Sequence, residues 1–481
     1  MSINNQLRFF LGFVMRSQLL RLFVLFSFIL PNLQNLSAKE LENPRAITVI
    51  GTGYVGLVLG TCLAEIGHQV TCCDVDSRKI SALQKGEIPI YEEGLEDLVH
   101  NNTIKNRLFF TTSLKNAVLE SDIIFITVGT PETLSGEANL DYVFSAAQLI
   151  GENLNRTKTV FVKSTVPMGT IIKIKEVIQA HNSANVPFSI GYAPEFLREG
   201  SSVSDFMHPD RVVIGAESPE TSQLFTEIVQ PILDNGAKIC TTSIASAEMI
   251  KYASNSFLAV KISFINEIAD FCEKIGADVE EVALGMGLDK RIGQSFLKPG
   301  PGYGGSCFPK DTLAFLKSAD KNSIHLSIID AAVQSNNTRC EKILTRMEKT
   351  LGTFQGKKIA VLGLAFKENT DDVRESPALK IIDCLVQKKA YVKSYDPIAT
   401  QNALKFYPEL NIASTLYEAF EDCDAIIIAT PWNLFTQIDW QIVKQICRGS
   451  LVFDTRNILC PEEVKNAGFS YVGIGKKPLM E

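Results

Sequence analysis

The chain has 481 residues, 46% of them hydrophobic and 21% charged, with a formal net charge of −7. This is enough chain for about two to four globular domains. The acidic balance excludes a general nucleic-acid surface, so an anionic ligand has to be met by locally placed basic residues. Eleven cysteines, an odd number scattered along the chain without metal-type CxxC pairs, argue against a secreted disulfide framework. They also leave no candidate metal site. A reducing compartment, the cytoplasm, fits them better.

The first 44 residues stand apart. Leu22 to Leu30 reads LFVLFSFIL, with Arg16 and Arg21 before it and Leu36-Ser37-Ala38 after it. Read from Met15, this resembles a signal peptide. It is short for a membrane span, and an extension upstream of the true fold is the other reading. Neither requires a membrane partner.

From Arg45 on, the pattern is that of an α/β protein. Ala46 to Ile50 predicts a strand, and Gly51-Thr52-Gly53-Tyr54-Val55-Gly56 follows it. A helical pattern then runs through Leu57, Leu59, Cys62, Leu63 and Ile66. A second strand, Gln69 to Cys73, ends at Asp74, 18 residues after Gly56. In this order each residue has a physical task. Gly51 allows the tight turn, Gly53 lets the backbone approach a pyrophosphate, and Gly56 lets helix and strand pack closely. The helix N-terminus meets the phosphate charge. Asp74 suits a ribose 2′-hydroxyl, favouring NAD over NADP, although Arg78 and Lys79 could reach a phosphate.

Ser121 to Val128 predicts a buried parallel strand with Gly129-Thr130-Pro131 at its carboxyl end. A helix over 142–153 follows, then strands over 159–162 and 188–192. The last two end in Lys163-Ser164-Thr165 and in Ala193-Pro194-Glu195-Phe196-Leu197-Arg198-Glu199-Gly200. Thr165 and Glu195 thus both fall at strand ends on the cofactor side, where they are either functional or simply polar loop residues. From Ser246 to Ile275 apolar residues recur at three- and four-residue steps, among them Ile250, Phe257, Val260, Phe264, Ile268, Phe271 and Ile275. A helix of that length, about 45 Å, joins domains or builds a dimer core. Lys251 and Asn255 share one of its faces.

The stretch Arg291 to Leu316 reads RIGQSFLKPGPGYGGSCFPKDTLAFL. Cys307 follows a glycine- and proline-rich run and opens a helix, where free N–H groups and the dipole favour a thiolate. Asp311 lies one turn on along the same face, with Lys310 beside it. A buried structural cysteine in a Gly/Pro turn is the plain alternative. The dense glycines, which let a ligand come close, favour a covalent nucleophile.

After Gly356 the early pattern returns. KKIAVLGLAF reads as a strand and Gly363, a helix follows over 377–388, and a strand over 390–395 ends in Asp396. CDAIIIATPW from Cys423 matches SDIIFITVGTP from Ser121. This is an internal repeat of the nucleotide-binding half. Its second copy lacks GxGxxG and carries Lys367 instead, which suits a different nucleotide. Leu451 to Asp454 is a last strand, before Thr455-Arg456-Asn457. The expected architecture is two doubly wound Rossmann-like domains joined by a long central helix. Its divisions are an extension (1–44), a dinucleotide domain (45–240), a helical middle carrying Cys307 (241–341) and a second nucleotide domain (342–481).

These motifs resemble the nucleotide-sugar (UDP-glucose/GDP-mannose) dehydrogenase family over nearly everything from Ile47 onward. The residues that carry the resemblance are GTGYVGLV from Gly51, PIYEEGL from Pro89, VGTP from Val128, KSTVPMGT from Lys163, APEFLREG from Ala193, KYASNSFLA from Lys251, the RIGQSFLKPGPGYGGSCFPKD block and GLAFKENTDDVRESPA from Gly363. The run Arg291 to Lys298 resembles the members that act on UDP-glucose more than those acting on GDP-mannose or UDP-N-acetylmannosamine. Glu93 departs from the family, where proline is frequent. The resemblance implies two successive NAD-dependent oxidations of a sugar C6 alcohol to a carboxylate, through a thiohemiacetal and a thioester on Cys307. Lys251 and Asn255 would stabilise negative charge on oxygen, Asp311 would hold a water or take protons, and Glu195 with Thr165 would serve hydrolysis.

The resemblance also implies the ligand contacts. NAD would meet Gly51, Gly53, Tyr54, Val55, Gly56, Asp74 and Lys79, together with Thr130, Thr165, Glu199, Lys310 and Arg374. The nucleotide sugar would meet Glu195, Phe196, Leu197, Glu199, Lys251 and Asn255. Phe296, Leu297, Lys298 and Gly304 would join them, as would Phe366, Lys367 and Arg456. Arg291 would come from the second subunit of a homodimer built around the long helix. A fold-keeping, non-catalytic nucleotide-sugar sensor is the competing reading, but it needs no thiolate.

Overall fold

The structure, a computed structural model, describes residue 41, residues 43–133 and residues 135–480. The apolar N-terminal segment, and the reading of it as a signal-like stretch, lie outside the described residues. Two sheets organise the rest. The first has eight strands: β1 (Ala46–Ile50), β2 (Gln69–Cys73), β3 (Leu108–Thr111), β4 (Ile123–Ile126), β5 (Lys158–Val162), β6 (Phe188–Tyr192), β7 (Arg211–Ala216) and β8 (Lys238–Thr242). Their order is β3-β2-β1-β4-β5-β6-β7-β8, parallel except where β7 runs antiparallel to β6. The first six follow the Rossmann order, which puts the switch point between β1 and β4, beside the glycine turn. The strand predicted over 121–128 is shorter at both ends. Thr127 leaves the sheet and turns its hydroxyl onto the carbonyls of Ile50 (2.8 Å) and Gly51 (3.1 Å).

The second sheet contains β9 (Lys358–Leu362), β10 (Tyr391–Tyr395), β11 (Ala425–Ile428), β12 (Leu451–Asp454) and β13 (Ser470–Gly473), all parallel, in the order β10-β9-β11-β12-β13. It repeats β2-β1-β4-β5-β6 of the first sheet. The counterpart of β3 is reduced to a single bridge between Ser394 and Ile412.

The repeat extends to single atoms. Gly51 and Gly363 both take φ near +100°, a value that favours glycine. The Gly51 N–H donates to the Cys73 carbonyl and the Gly363 N–H to that of Tyr395. Asp74 Oδ2 accepts from the backbone and hydroxyl of Thr52, both at 2.8 Å. Asp396 Oδ2 likewise accepts from the backbone N–H groups of Leu364 and Ala365, and also from the Trp432 indole. The copies differ where ligands would lie. Asp74 is half-buried at an open edge, whereas Asp396 is buried and committed to clamping its own turn.

Between the sheets runs the helical middle: α2 (Ile244–Ile275), α3 (Phe308–Lys321) and α4 (Ser327–Leu351); α1 (Tyr54–Glu65) belongs to the first sheet and α5 (Pro377–Gln387) to the second. Ser243 caps α2 by accepting from the Ser246 N–H, and Gly276 ends it in the left-handed conformation, the usual start and stop devices. The 32-residue helix spans about 48 Å and packs against β7, α3 and α4. Its inward face mixes small and polar residues with a few large ones: Ala247, Glu248, Lys251, Asn255, Ser256, Ala259, Ser263 and Asn266 are buried together with Tyr252 and Ile265. The aromatic stripe that betrays the helix in the sequence points outward instead. Phe257, Phe264 and Phe271 are 65%, 44% and 62% exposed.

Candidate active site

The dinucleotide turn is shaped for a pyrophosphate. Gly53 is the N-cap of α1 with no side chain capping the helix, so the first N–H groups are free for an anion. A Cβ at Gly53 would meet nothing within 4 Å, whereas one at Gly56 would lie 2.0 Å from the Gly51 carbonyl oxygen. The turn is therefore open toward the ligand and closed toward the sheet. Burial works to raise the pKa of Asp74, but hydrogen bonds from the Asp76 and Thr52 N–H groups hold it below the ordinary carboxylate value. It is thus anionic where a ribose hydroxyl would donate. Lys79 lies half-buried in the following helix.

The other strand ends converge on α3. The Thr130 hydroxyl donates to the Thr165 carbonyl at 2.9 Å. Lys310 Nζ lies 3.5 Å from the Thr130 hydroxyl and 2.5 Å from Asp311 Oδ1. Asp311, buried to 1% exposure, accepts on its other oxygen from Asn255 Nδ2 at 2.7 Å. One turn earlier on α2, Lys251 Nζ donates to Glu195 Oε1 at 2.9 Å and to the Glu195 carbonyl at 2.8 Å. Burial works to strip the proton from Lys251. Glu195, then Asp311 and the Cys307 sulfur, reverse that and hold its pKa above the ordinary lysine value. Breaking such a buried pair from one side costs about 3–5 kcal/mol, because a charge is left uncompensated.

Cys307 is half-buried at the N-terminus of α3, and its sulfur lies 3.6 Å from the Ser306 hydroxyl. The expected low thiol pKa is corrected by the structure. Burial, then Glu195 and Asp311, push it up to about 12, against a smaller opposing pull from Lys251. The helix terminus is outweighed by desolvation and by three carboxylates, those of Glu195, Asp311 and Glu199. In the free protein the group is a thiol.

The glycine run brings the second sheet against this cluster. A Cβ at Gly304 would lie 2.2 Å from the Glu375 carbonyl oxygen, and one at Gly305 would meet the Phe366 ring at 2.8 Å. Gly305 N–H donates to the Arg374 carbonyl. Lys367 Nζ reaches the Glu199 carbonyl. Arg456 donates to the carbonyls of Ala429 (2.7 Å) and Phe366 (3.0 Å), and burial pulls its pKa down to about 10. Glu199 meets Ser306 at 3.0 Å, Thr370 at 3.2 Å and Arg374 at 3.6 Å. Burial, then Asp372, push its pKa up to about 8 against the pull of Arg374.

Phe196, between Arg211 at 3.7 Å and Lys251 at 5.3 Å, and half-buried Leu197 border the same space. Phe296 takes φ +65°, a strained value for an aromatic residue, with its ring 6.1 Å from that of Phe308. Leu297 is buried and Lys298 exposed. Arg291 is exposed and pairs with Asp289, a neighbour in its own chain.

Three models of the UDP-glucose/GDP-mannose dehydrogenase family match in sequence along the chain. They are its NAD binding domain over residues 45–233, its central domain over 245–338 and its UDP binding domain over 360–461. The chain belongs to the UDP-glucose/GDP-mannose dehydrogenase family. It is an enzyme of that family, and its cofactor is NAD. Among relatives, UDP-glucose 6-dehydrogenase TuaD of Bacillus subtilis is 47% identical over 90% of this chain and 93% of its own. UDP-glucose 6-dehydrogenase of Rhizobium meliloti is 46% identical over 89% and 99%. Among solved structures, a UDP-glucose dehydrogenase from Pyrobaculum islandicum superposes with a TM-score of 0.84 at 35% identity, covering 92% of this chain and 100% of that one.

Three residues beside this cluster are not singled out by the sequence. Ser306 touches both Cys307 and Glu199. Arg211 stacks on Phe196 from β7. Lys163, 8% exposed, donates only a 3.3 Å bond to the Ala193 carbonyl, and burial pulls its pKa down to about 8 against Glu195. The quoted motifs hold two of them, Ser306 in GYGGSCFPKD and Lys163 in KSTVPMGT, whereas Arg211 lies in none.

Proposed function

We propose that this enzyme oxidises UDP-glucose to UDP-glucuronate in two NAD-dependent steps, with Cys307 as covalent nucleophile. One arrangement carries the reading: a half-buried thiol opens α3 amid Lys251, Asn255, Asp311 and Glu195, all buried. NAD, when bound, accepts the hydride in each oxidation. In the first, the C6 hydroxyl gives its proton to a water held by Asp311 as the hydride leaves, producing an aldehyde, and the Lys251 ammonium and Asn255 amide steady the oxygen's developing charge. The Cys307 sulfur then adds to the aldehyde carbon, forming a C–S bond, and its proton passes to the new hydroxyl through Asp311. This thiohemiacetal loses a second hydride, and its hydroxyl proton passes to the water held by Asp311, to become a thioester. Water adds to the thioester carbon, the C–S bond breaks, and the carboxylate and the thiol are released. Glu195 and Thr165 flank this hydrolytic step.

The remaining assignments follow the same reading. Phe296, Lys298, Phe366, Lys367 and Arg456 hold the nucleotide sugar, and the dianion is met by local cations. The domain divisions at 240 and 341 separate the two nucleotide sites from the middle that carries the thiol. The exposed phenylalanines of α2 form a homodimer seam that brings in the partner's Arg291. A cytoplasmic, reducing setting keeps the thiol free; among the described residues no helix is long and apolar enough to cross a membrane.

The test is a rate comparison across UDP-glucose, GDP-mannose and UDP-N-acetylmannosamine with NAD. UDP-glucose is expected to be fastest, with two NADH formed per sugar. Faster turnover of either rival overturns the substrate, and no turnover of any favours the sensor.

A further inference from the structure

The dinucleotide turn is held from outside its own domain. Tyr54, the first residue of α1, donates its hydroxyl to Asp371 Oδ1 at 2.6 Å. Asp371 belongs to the loop between β9 and α5, across the cleft. It is itself anchored: Asn402 Nδ2 donates to Asp371 Oδ2 at 2.8 Å and to its carbonyl at 3.0 Å. Three residues on in the same loop, the Arg374 guanidinium sits 5.5 Å from the Tyr54 ring centroid. Arg374 is fixed in turn by a two-pronged contact with Asp372, both arms at 2.8 Å. The phenol is therefore gripped by an anion at its hydroxyl and a cation at its ring, both supplied by one short loop of the second nucleotide domain.

We propose that Asp371 is a positioning residue that couples the two nucleotide sites: through Tyr54 it ties the pyrophosphate turn to the second domain, so that filling one site tightens the other. The inference rests on the reading that the two domains hold NAD and UDP-glucose respectively. A phenol–carboxylate bond is charge-assisted, short and directional. It survives only while the two domains keep one relative position. A ligand that favours that position therefore favours the arranged turn, and by linkage the effect is reciprocal. Tyr54 stays protonated throughout, because burial, then the Asp371 carboxylate, push its pKa far up. The bond is accordingly insensitive to pH in the neutral range.

The experiment measures the NAD dissociation constant by intrinsic fluorescence, with and without saturating UDP, in the wild type, Tyr54→Phe and Asp371→Ala. The wild type is expected to bind NAD about tenfold more tightly with UDP present, the size of one charge-assisted hydrogen bond. In both variants that ratio should fall toward one. A ratio that survives in either variant, or is absent from the wild type, overturns the coupling. So does equal weakening of NAD in Tyr54→Phe with and without UDP, which would make Tyr54 a simple cofactor contact. Should Asp371→Ala melt early, Tyr54→Phe, which deletes one oxygen, carries the test. A wild type that binds no NAD at all would instead overturn the cofactor reading beneath it.

Discussion

At Cys307 three influences compete, and their sum decides the chemistry. The start of α3 favours the anion, burial and three neighbouring carboxylates oppose it, and Lys251 recovers part of the loss. The outcome, pushed up to about 12, has a direct consequence. Because the group is an acid with a raised pKa, it stays a protonated thiol through neutral pH and ionises only as pH rises. Alkylation of Cys307 by iodoacetamide in the free enzyme should therefore accelerate steadily from pH 7 to beyond pH 9. A plateau near neutrality would show a thiolate already formed. Replacement by serine removes the sulfur but little volume. Cys307→Ser should retain UDP-glucose binding and stop glucuronate formation after the first oxidation, because a hydroxyl is a far weaker nucleophile and a far weaker acid than the thiol it replaces. Product analysis that finds full glucuronate from this variant would contradict the covalent route.

At the scale of elements, the β1–α1 junction depends on the absence of a side chain at Gly56. A Cβ there would sit 2.0 Å from the Gly51 carbonyl oxygen and 2.5 Å from the Thr127 hydroxyl, so strand and helix would have to part. Gly56→Ala should cost about 1–3 kcal/mol of stability, as overpacking does, and raise the KM for NAD more than that for UDP-glucose. Thermal melting and initial rates check both. Equal rises in the two KM values would mean that the turn does not shape the cofactor site in particular. The second copy makes the same point in reverse. With Leu364 and Ala365 in the turn and Asp396 closed over them, it keeps the fold of the first copy without its opening for a pyrophosphate.

Over the whole molecule, α2 serves two surfaces with two chemistries. Inward it offers Lys251 and Asn255 among small residues, with Tyr252 packed on Phe315 of α3. Outward it offers a row of phenylalanines seven residues apart. Such an exposed row on a long helix is the seam that the proposed homodimer would use, and aromatic anchors dominate interfaces of that kind. Phe257→Asp combined with Phe264→Asp should convert a dimer to monomers in sedimentation velocity, and should lower activity if the partner's Arg291 completes the site. An unchanged sedimentation coefficient would remove the dimer.

The amino-acid sequence by itself determined nine of the thirteen described strands, the glycine turn, the repeat and the thiol at a helix start, but not β3, β7, β8 or β13. These are local matters: β-branched runs, residues with no Cβ, and a cap each act over a few neighbours. It also showed the long helix, though through the stripe that faces outward, because periodicity reports amphipathicity and not which side is covered. Tertiary structure alone decided which groups meet. Glu195 and Lys251 are 56 residues apart, Tyr54 and Asp371 317 apart, and Ser306 and Glu199 107 apart. Proximity over such separations is set by how whole sheets pack. So is the thiol's pKa, a sum over burial and charges that arrive from three parts of the chain.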